Sequence, residues 1–288
     1  MKLQRTATFL GLACSTVLAF SATAQAASFT SNVSQTTDPE ADIWLNSITQ
    51  NGTTFNNFNL VNRARILYND PITRGGNAEE TYNPELGGSV NNSGAASTDR
   101  GDRATAPGGR EVSGLNNPTD DDIAAYLGNT NLNNIIDVED GKTMKINLFF
   151  QNTIFADNTG LDNLFFWERG RNSDMLVQAI DAAGNLIGNS LSLNRNDSEY
   201  AGFSIDTLEI PGAQQVGTWG VKLSQLGVTS AAGIQVFADW RMNGPDFKVM
   251  ARSSTPSASV PEPATLAGLG LVAASLAAFR RRQVSKAG

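Results

Sequence analysis

The sequence predicts an all-β body, an antiparallel sandwich or jelly-roll-like domain with one short helix, a long flexible insertion and a single membrane helix near the C-terminal end. Three observations lead there. Short apolar runs recur at about every ten residues from Thr143 to Arg252, with Gly or Pro between them. The segment "TMKINLFFQN" sets Met144, Ile146, Leu148 and Phe150 on one face, the period-two pattern of a half-buried strand. One helix signal stands out, at Thr119, and no internal repeat is visible.

Taken in order, residues 1–26 read as a secretory signal peptide. Lys2 and Arg5 precede an apolar run, and "ATAQAA" offers Ala24 and Ala26 as the small residues of an A-x-A cleavage site. Signal peptidase needs small side chains at these positions because its pockets are shallow. Cys14 reads as a small residue of the apolar run. A lipidated cysteine is the rival, but Gly11 stands where a lipobox wants a Leu-like side chain. Cys14 is the one cysteine of the 288 residues, so the exported body would hold none and use no disulfide.

Residues 27–70 open polar and then spread Phe55, Phe58, Leu60, Ile66 and Leu67 loosely enough for one or two strands, the N-terminal strands of the β domain. Residues 71–118 are rich in Gly, Asn, Ser, Thr and Pro and poor in large apolar side chains. Such a stretch cannot bury enough surface to offset its ordering entropy, so it is expected to be a flexible insertion. It contains "RGD" at 100–102, a tripeptide that arises by chance in a loop of this composition.

Residues 119–255 form the main β domain. Thr119 followed three residues later by Asp122 has the form of a capping box, and Asp120, Asp121 and Asp122 put negative charge at the positive end of the helix dipole. A cation site is the alternative use of this triplet. Gly128 is the expected stop. After "TMKINLFFQN" come "NLFFWERG", a burst ended by Gly170, and "MLVQAIDAAGNLIGNSLSL", a hairpin with Gly184 as its positive-φ residue. "AGFSIDTLEI", "TWGVKLSQL", "GIQVFADWRM" and "DFKVMAR" supply further strands.

Charge and composition narrow the chemistry. All 28 acidic residues lie between Ala27 and Pro263, whereas six of the 21 basic ones lie outside it, so this body carries a net charge of −13. Nucleic acid and anionic lipid should repel it. There is no histidine. Ser-His and Cys-His nucleophile pairs and the usual zinc sites are therefore unavailable to the exported body, which leaves paired carboxylates as the enzymatic option. Glu168, beside Trp167, and Asp206 and Glu209 are the candidate acids. The plainer reading of Glu168 and Arg169 is an ion pair at the surface end of a strand.

Calcium is the one cofactor the sequence leaves open. "DNTGLDN" supplies Asp157 and Asp162, and "DVEDG" at 137–141 supplies a second group of oxygen ligands beside glycine. Neither fits the twelve-residue helix-loop-helix template, and Asp and Asn are ordinary turn formers. Trp44, Trp167, Trp219 and Trp240 could stack on sugars of an extracellular polysaccharide if exposed, or pack as core and edge residues.

Residues 256–288 form the tail. Residues 264–279 contain no charge and would span about 24 Å as a helix, somewhat under the ~30 Å hydrocarbon core. Snorkelling and bilayer thinning accommodate such a span. Arg280, Arg281 and Arg282 should stay cytoplasmic, which agrees with an outward-facing body. Pro261, Glu262 and Pro263, then an apolar helix, then a basic cluster resemble the PEP-CTERM sorting signal of Gram-negative bacteria. The resemblance implies recognition by the membrane protease exosortase, which removes the tail and releases the protein or re-attaches it at the surface. The two prolines would keep the cleavage region extended. Residues 160–249 of the body resemble a group of cyanobacterial exosortase-dependent surface proteins, which implies a location and no particular chemistry. The expectation is an exported surface or matrix protein that is not an enzyme. A carbohydrate- or calcium-binding module is the alternative, and a carboxylate-dependent glycoside hydrolase the third reading.

Overall fold

The computed structural model describes residues 29–34, 37–70, 81–83, 88–90, 96–101, 103–107, 118–207 and 212–255. The signal segment with Ala24 and Ala26, the sorting residues Pro261 to Pro263 and Arg280 to Arg282, and the expected membrane helix lie outside the described residues. Among the described residues no helix is long and apolar enough to cross a membrane.

The body is mostly β, with antiparallel sheets and one short helix. Its strands are β1 (Thr30–Val33), β2 (Leu45–Gln50), β3 (Thr53–Phe55), β4 (Phe58–Asn59), β5 (Val61–Asn69), β6 (Thr81–Asn83), β7 (Gly88–Val90) and β8 (Ala96–Arg100). After α1 (Asp120–Leu127) follow β9 (Asn134–Val138), β10 (Met144–Phe155), β11 (Leu164–Arg169), β12 (Met175–Ile180), β13 (Leu186–Leu193), β14 (Glu199–Ile205), β15 (Gln214–Val221), β16 (Ser230–Ala238) and β17 (Asp246–Arg252).

Three sheets stack in layers. A five-stranded sheet of order β13-β12-β16-β10-β5 faces a larger sheet of order β14-β15-β11-β17-β9-β8, with β4 paired to β17. Between them lies the main core, where Ile146, Leu148, Val177 and Val236 from the first sheet meet Phe166, Trp219, Phe247 and Val249 from the second. The β1-β2-β3 sheet covers the other face of the larger sheet, where Phe29, Ile43, Leu45 and Ile48 pack with Phe165, Trp167, Val216 and Met250. Two tightly packed layers therefore sandwich β11 and β17, and both strands are buried at every position. Buried on both faces, such strands read as continuous runs and lose the alternation that would mark one face.

The helix forms as its capping box predicts. Thr119 Oγ1 accepts from the Asp122 N–H, and the Asp122 carboxylate accepts from the Thr119 N–H. Asp120 Oδ1 accepts from the Ile66 N–H at 2.7 Å, so the acidic first turn also closes the open edge of β5. Gly128 ends the helix without the left-handed conformation, at φ −84°. Small size is what it supplies, since a Cβ there would come within 2.7 Å of the Val61 carbonyl oxygen. Gly184 does adopt positive φ, 87°, in the hairpin joining β12 and β13.

Part of the stretch expected to be a flexible insertion is built into the body. β8 pairs with β9 from Ala96↔Val138 to Arg100↔Asn134 and extends the larger sheet. Arg103 then pairs with Asp38 and Glu40, and the Thr105 N–H and hydroxyl donate to Asp42. Ladder hydrogen bonds and charge pairs hold this stretch, which is why its lack of large apolar residues misled. Arg100 of the "RGD" tripeptide is half-buried and donates to the Gly101 carbonyl, and Asp102 lies outside the described residues. β1 and β2 carry no usable sequence pattern because their runs are short and largely polar, and β9 carries none because its five residues are all buried and do not alternate.

Candidate functional site

Strand β11 carries the residues with the most unusual surroundings. Alternation along it sends Leu164, Phe166 and Glu168 toward the main core and Phe165, Trp167 and Arg169 toward the N-terminal layer. Glu168 and Arg169 are thus neighbours in sequence on opposite faces, and both are sealed from solvent. This corrects the expectation of a surface ion pair between them, because the N-terminal layer and β17 close over a strand end that the sequence presents as terminal.

Arg169 is satisfied by other partners. Its Nη2 lies 2.7 Å from Asp246 Oδ2 and 3.0 Å from Asp137 Oδ2, its Nε donates to Asp246 at 3.0 Å, and its Nη1 donates to Thr207. Two carboxylates on one fully buried guanidinium form a structural lock joining β9, β11 and β17. Glu168 has no such lock, and neither carboxyl oxygen makes a well-formed hydrogen bond among the described residues. Burial pushes its carboxyl well above the usual range, and the negative charge of Asp246 adds to the rise. Weak stabilisation from Ser173 and the Arg171 N–H does not offset this. Glu168 is therefore a buried acid whose charged form is disfavoured by its surroundings.

Lys248, in β17, gave no sequence signal beyond lying in a strand. It is fully buried, and its Nζ donates to the Tyr126 carbonyl and, at 3.1 Å, to Asn129 Oδ1. The last turn of α1 has no basic residue of its own, and Lys248 reaches that end from a neighbouring strand. Burial pushes its ammonium well below the ordinary lysine value.

The other expected acids are spread apart. Asp206 is half-buried and accepts from the Gly212 N–H at 3.1 Å, and Glu209 lies outside the described residues. Asp157 accepts from the Thr159 N–H and hydroxyl and pairs with Arg252 at 2.8 Å. Partial burial pushes Asp157 up, but Arg252 and Thr159 outweigh it and hold the carboxyl below its ordinary value. Asp162 is buried, which raises its carboxyl, and its Oδ2 accepts from Gln50 Nε2 at 2.6 Å. The Arg252 guanidinium also donates to the Asp162 carbonyl, so a protein cation occupies the middle of this loop. In the second loop Asp137 is committed to Arg169. Among the described residues no group of three or more acidic side chains is placed to hold a metal ion.

The tryptophans divide evenly. Trp167 and Trp219 are buried, and their Nε1–H groups donate to Ser31 Oγ and to the Asn194 carbonyl. Trp44 is 38 % exposed and Trp240 67 % exposed, with Arg241 beside the Trp240 ring.

The outer face of the five-stranded sheet has a different chemistry. Registers place Ser190, Gln178, Gln235, Asn147 and Arg65 in one row across all five strands. Gln235 Nε2 donates to Asn147 Oδ1 at 2.9 Å. Arg63 lies over the Phe149 ring at 3.4 Å, and Lys145 over Phe237 at 5.5 Å.

The molecule is thus a mostly β body whose most perturbed ionisable groups are internal, followed by a tail outside the described residues. Residues 259–282 match the PEP-CTERM protein-sorting motif. The motif implies an exported protein, targeted to exosortase and sorted to the cell surface. No curated protein and no solved structure matches the chain.

Proposed function

We propose that this chain is exported through the general secretory route, is held by its tail with the body outside, and acts at the cell surface or in the extracellular matrix without enzymatic activity of its own. The observation that carries this is the sorting motif over residues 259–282. The absence of histidine and the sealed position of Glu168 support a body that does no chemistry. The reading does not rest on the resemblance of residues 160–249 to cyanobacterial surface proteins.

Mass spectrometry of the extracellular fraction tests it. The expected mature chain begins near Ala27 and ends near Pro263. Secreted material that still ends at Gly288 overturns the account of tail removal.

A second reading, a carbohydrate-binding module, is favoured by exposed Trp240 and by the amide row of the five-stranded sheet. Calcium binding at Asp157 and Asp162 has less support, because Arg252 and Gln50 already engage these residues. A melting temperature unmoved by chelator counts against calcium.

A further inference from the structure

The five strands β5, β10, β12, β13 and β16 contain no Asp or Glu, although the chain as a whole carries 28 acidic residues and a net charge of −7. Their basic residues are Arg63, Arg65 and Lys145, and all three lie on the outer face. None of them forms an ion pair among the described residues; Arg63 and Lys145 instead sit over aromatic rings. Three carboxylates stand at the rim and are already engaged, among them Asp120, which accepts from the Ile66 N–H at the β5 edge. Asp70 accepts from the Tyr68 hydroxyl and the Thr143 N–H, and Asp181 accepts from the N–H groups of its own turn. Three cations therefore share a face whose own strands carry no carboxylate.

The rest of that face suits a hydroxyl-rich polymer. Gln178 and Gln235 present half-buried amides, each able both to donate and to accept, as sugar hydroxyls do, while Asn147 between Gln235 and Arg65 is buried beneath the β12–β13 turn. Gly184 lets the β12–β13 turn close onto Asn147 and Phe149, where a Cβ would meet Asn147 Nδ2 at 3.1 Å. Its carbonyl accepts from Asn147 Nδ2, and this turn covers Asn147. Tyr68 stands half-exposed at the opposite edge.

We propose that the outer face of the five-stranded sheet binds an acidic polysaccharide, with Arg63, Arg65 and Lys145 meeting its anionic groups and the Gln178 and Gln235 amides its hydroxyls. The choice of an extracellular polymer rests on the export reading, while the binding itself is a property of the folded chain.

The test uses the full chain purified with its tail in detergent and titrated with a polyuronate such as alginate. Neutral dextran, vesicles of phosphatidylglycerol and duplex DNA serve as competing probes. The expected result is polyuronate binding that weakens with added salt, as screening shortens from about 10 Å at 0.1 M to about 3 Å at 1 M. The double variant Arg63→Gln/Arg65→Gln should lose at least about fivefold in affinity at unchanged melting temperature. Arg241→Gln, which removes one charge from a loop outside this face, should bind as the parent does. No polyuronate binding, binding indifferent to the double variant, equal binding to dextran, or preference for vesicles or DNA each overturns the proposal. Any of these leaves the extracellular mass measurement, and so the export reading, unaffected.

Discussion

The two sheets that enclose the main core solve the same packing problem with opposite chemistry. The larger sheet buries Glu168, Arg169, Asp246 and Lys248, while the five-stranded sheet buries apolar side chains inward and keeps its cations and amides outside. A third layer explains the difference. The N-terminal strands cover what would have been a wet face of β11 and β17, and polar residues there must find partners inside the protein. Arg169 and Lys248 found them. Glu168, on the inner face, has no such partner and its carboxyl is raised instead. Burial of ions is thus a consequence of layering, and the five-stranded sheet, uncovered on one side, escapes it.

The sharpest way to break this comparison is Arg169→Met. It leaves Asp137 and Asp246 buried around a missing cation, and a loss of about 3–5 kcal/mol is expected in urea unfolding. A loss under about 1 kcal/mol would show that the N-terminal layer opens easily and that the network is not buried in solution.

Leu148→Ala probes the other sheet through its apolar side. It removes a fully buried side chain and should cost about 2–5 kcal/mol by the same measurement, with no dependence on pH beyond that of the parent.

Glu168→Gln separates the sheets by pH. A carboxyl raised on folding contributes stability that is fully present below its ordinary value of 4.5 and is lost as pH rises through the folded value. The parent should therefore weaken relative to the variant as pH climbs from 4.5, ending about 1–3 kcal/mol behind. Lys248 works in the opposite sense. Its contribution is full above 10.5 and is lost as pH falls toward the depressed folded value, so only the parent-minus-variant difference isolates Glu168. A difference that stays flat with pH would remove Glu168 from the account.

The smallest effect is expected on the open face. Gln235→Ala should cost about 0.5–1.5 kcal/mol, read by thermal melting, because it removes the Nε2 donor to the buried Asn147 Oδ1. A larger loss would mean that the amide row is structural.

Much of this was legible in the chain. The capping box at Thr119 reads directly because its partners lie three residues apart, and β10 reads because only one of its faces is apolar along most of its length. "DFKVMAR" gave the bounds of β17. Asp157 and Asp162 were legible as a turn, but Arg252, which fills that loop, lies about a hundred residues away in sequence and has no local signature. The amide row was hidden for the same reason, since its members meet only through register.

By itself the sequence determined the order of charge, apolar run and small residues at the front, the sorting motif at 259–282, the absence of histidine and the turn residues that separate the strands. Each depends on residues close together in the chain. Tertiary structure alone decided which faces are covered, and with them the fates of Glu168, Arg169 and Lys248. Alternation along a strand says which side chains share a face, but what lies against that face is set by strands far away in sequence.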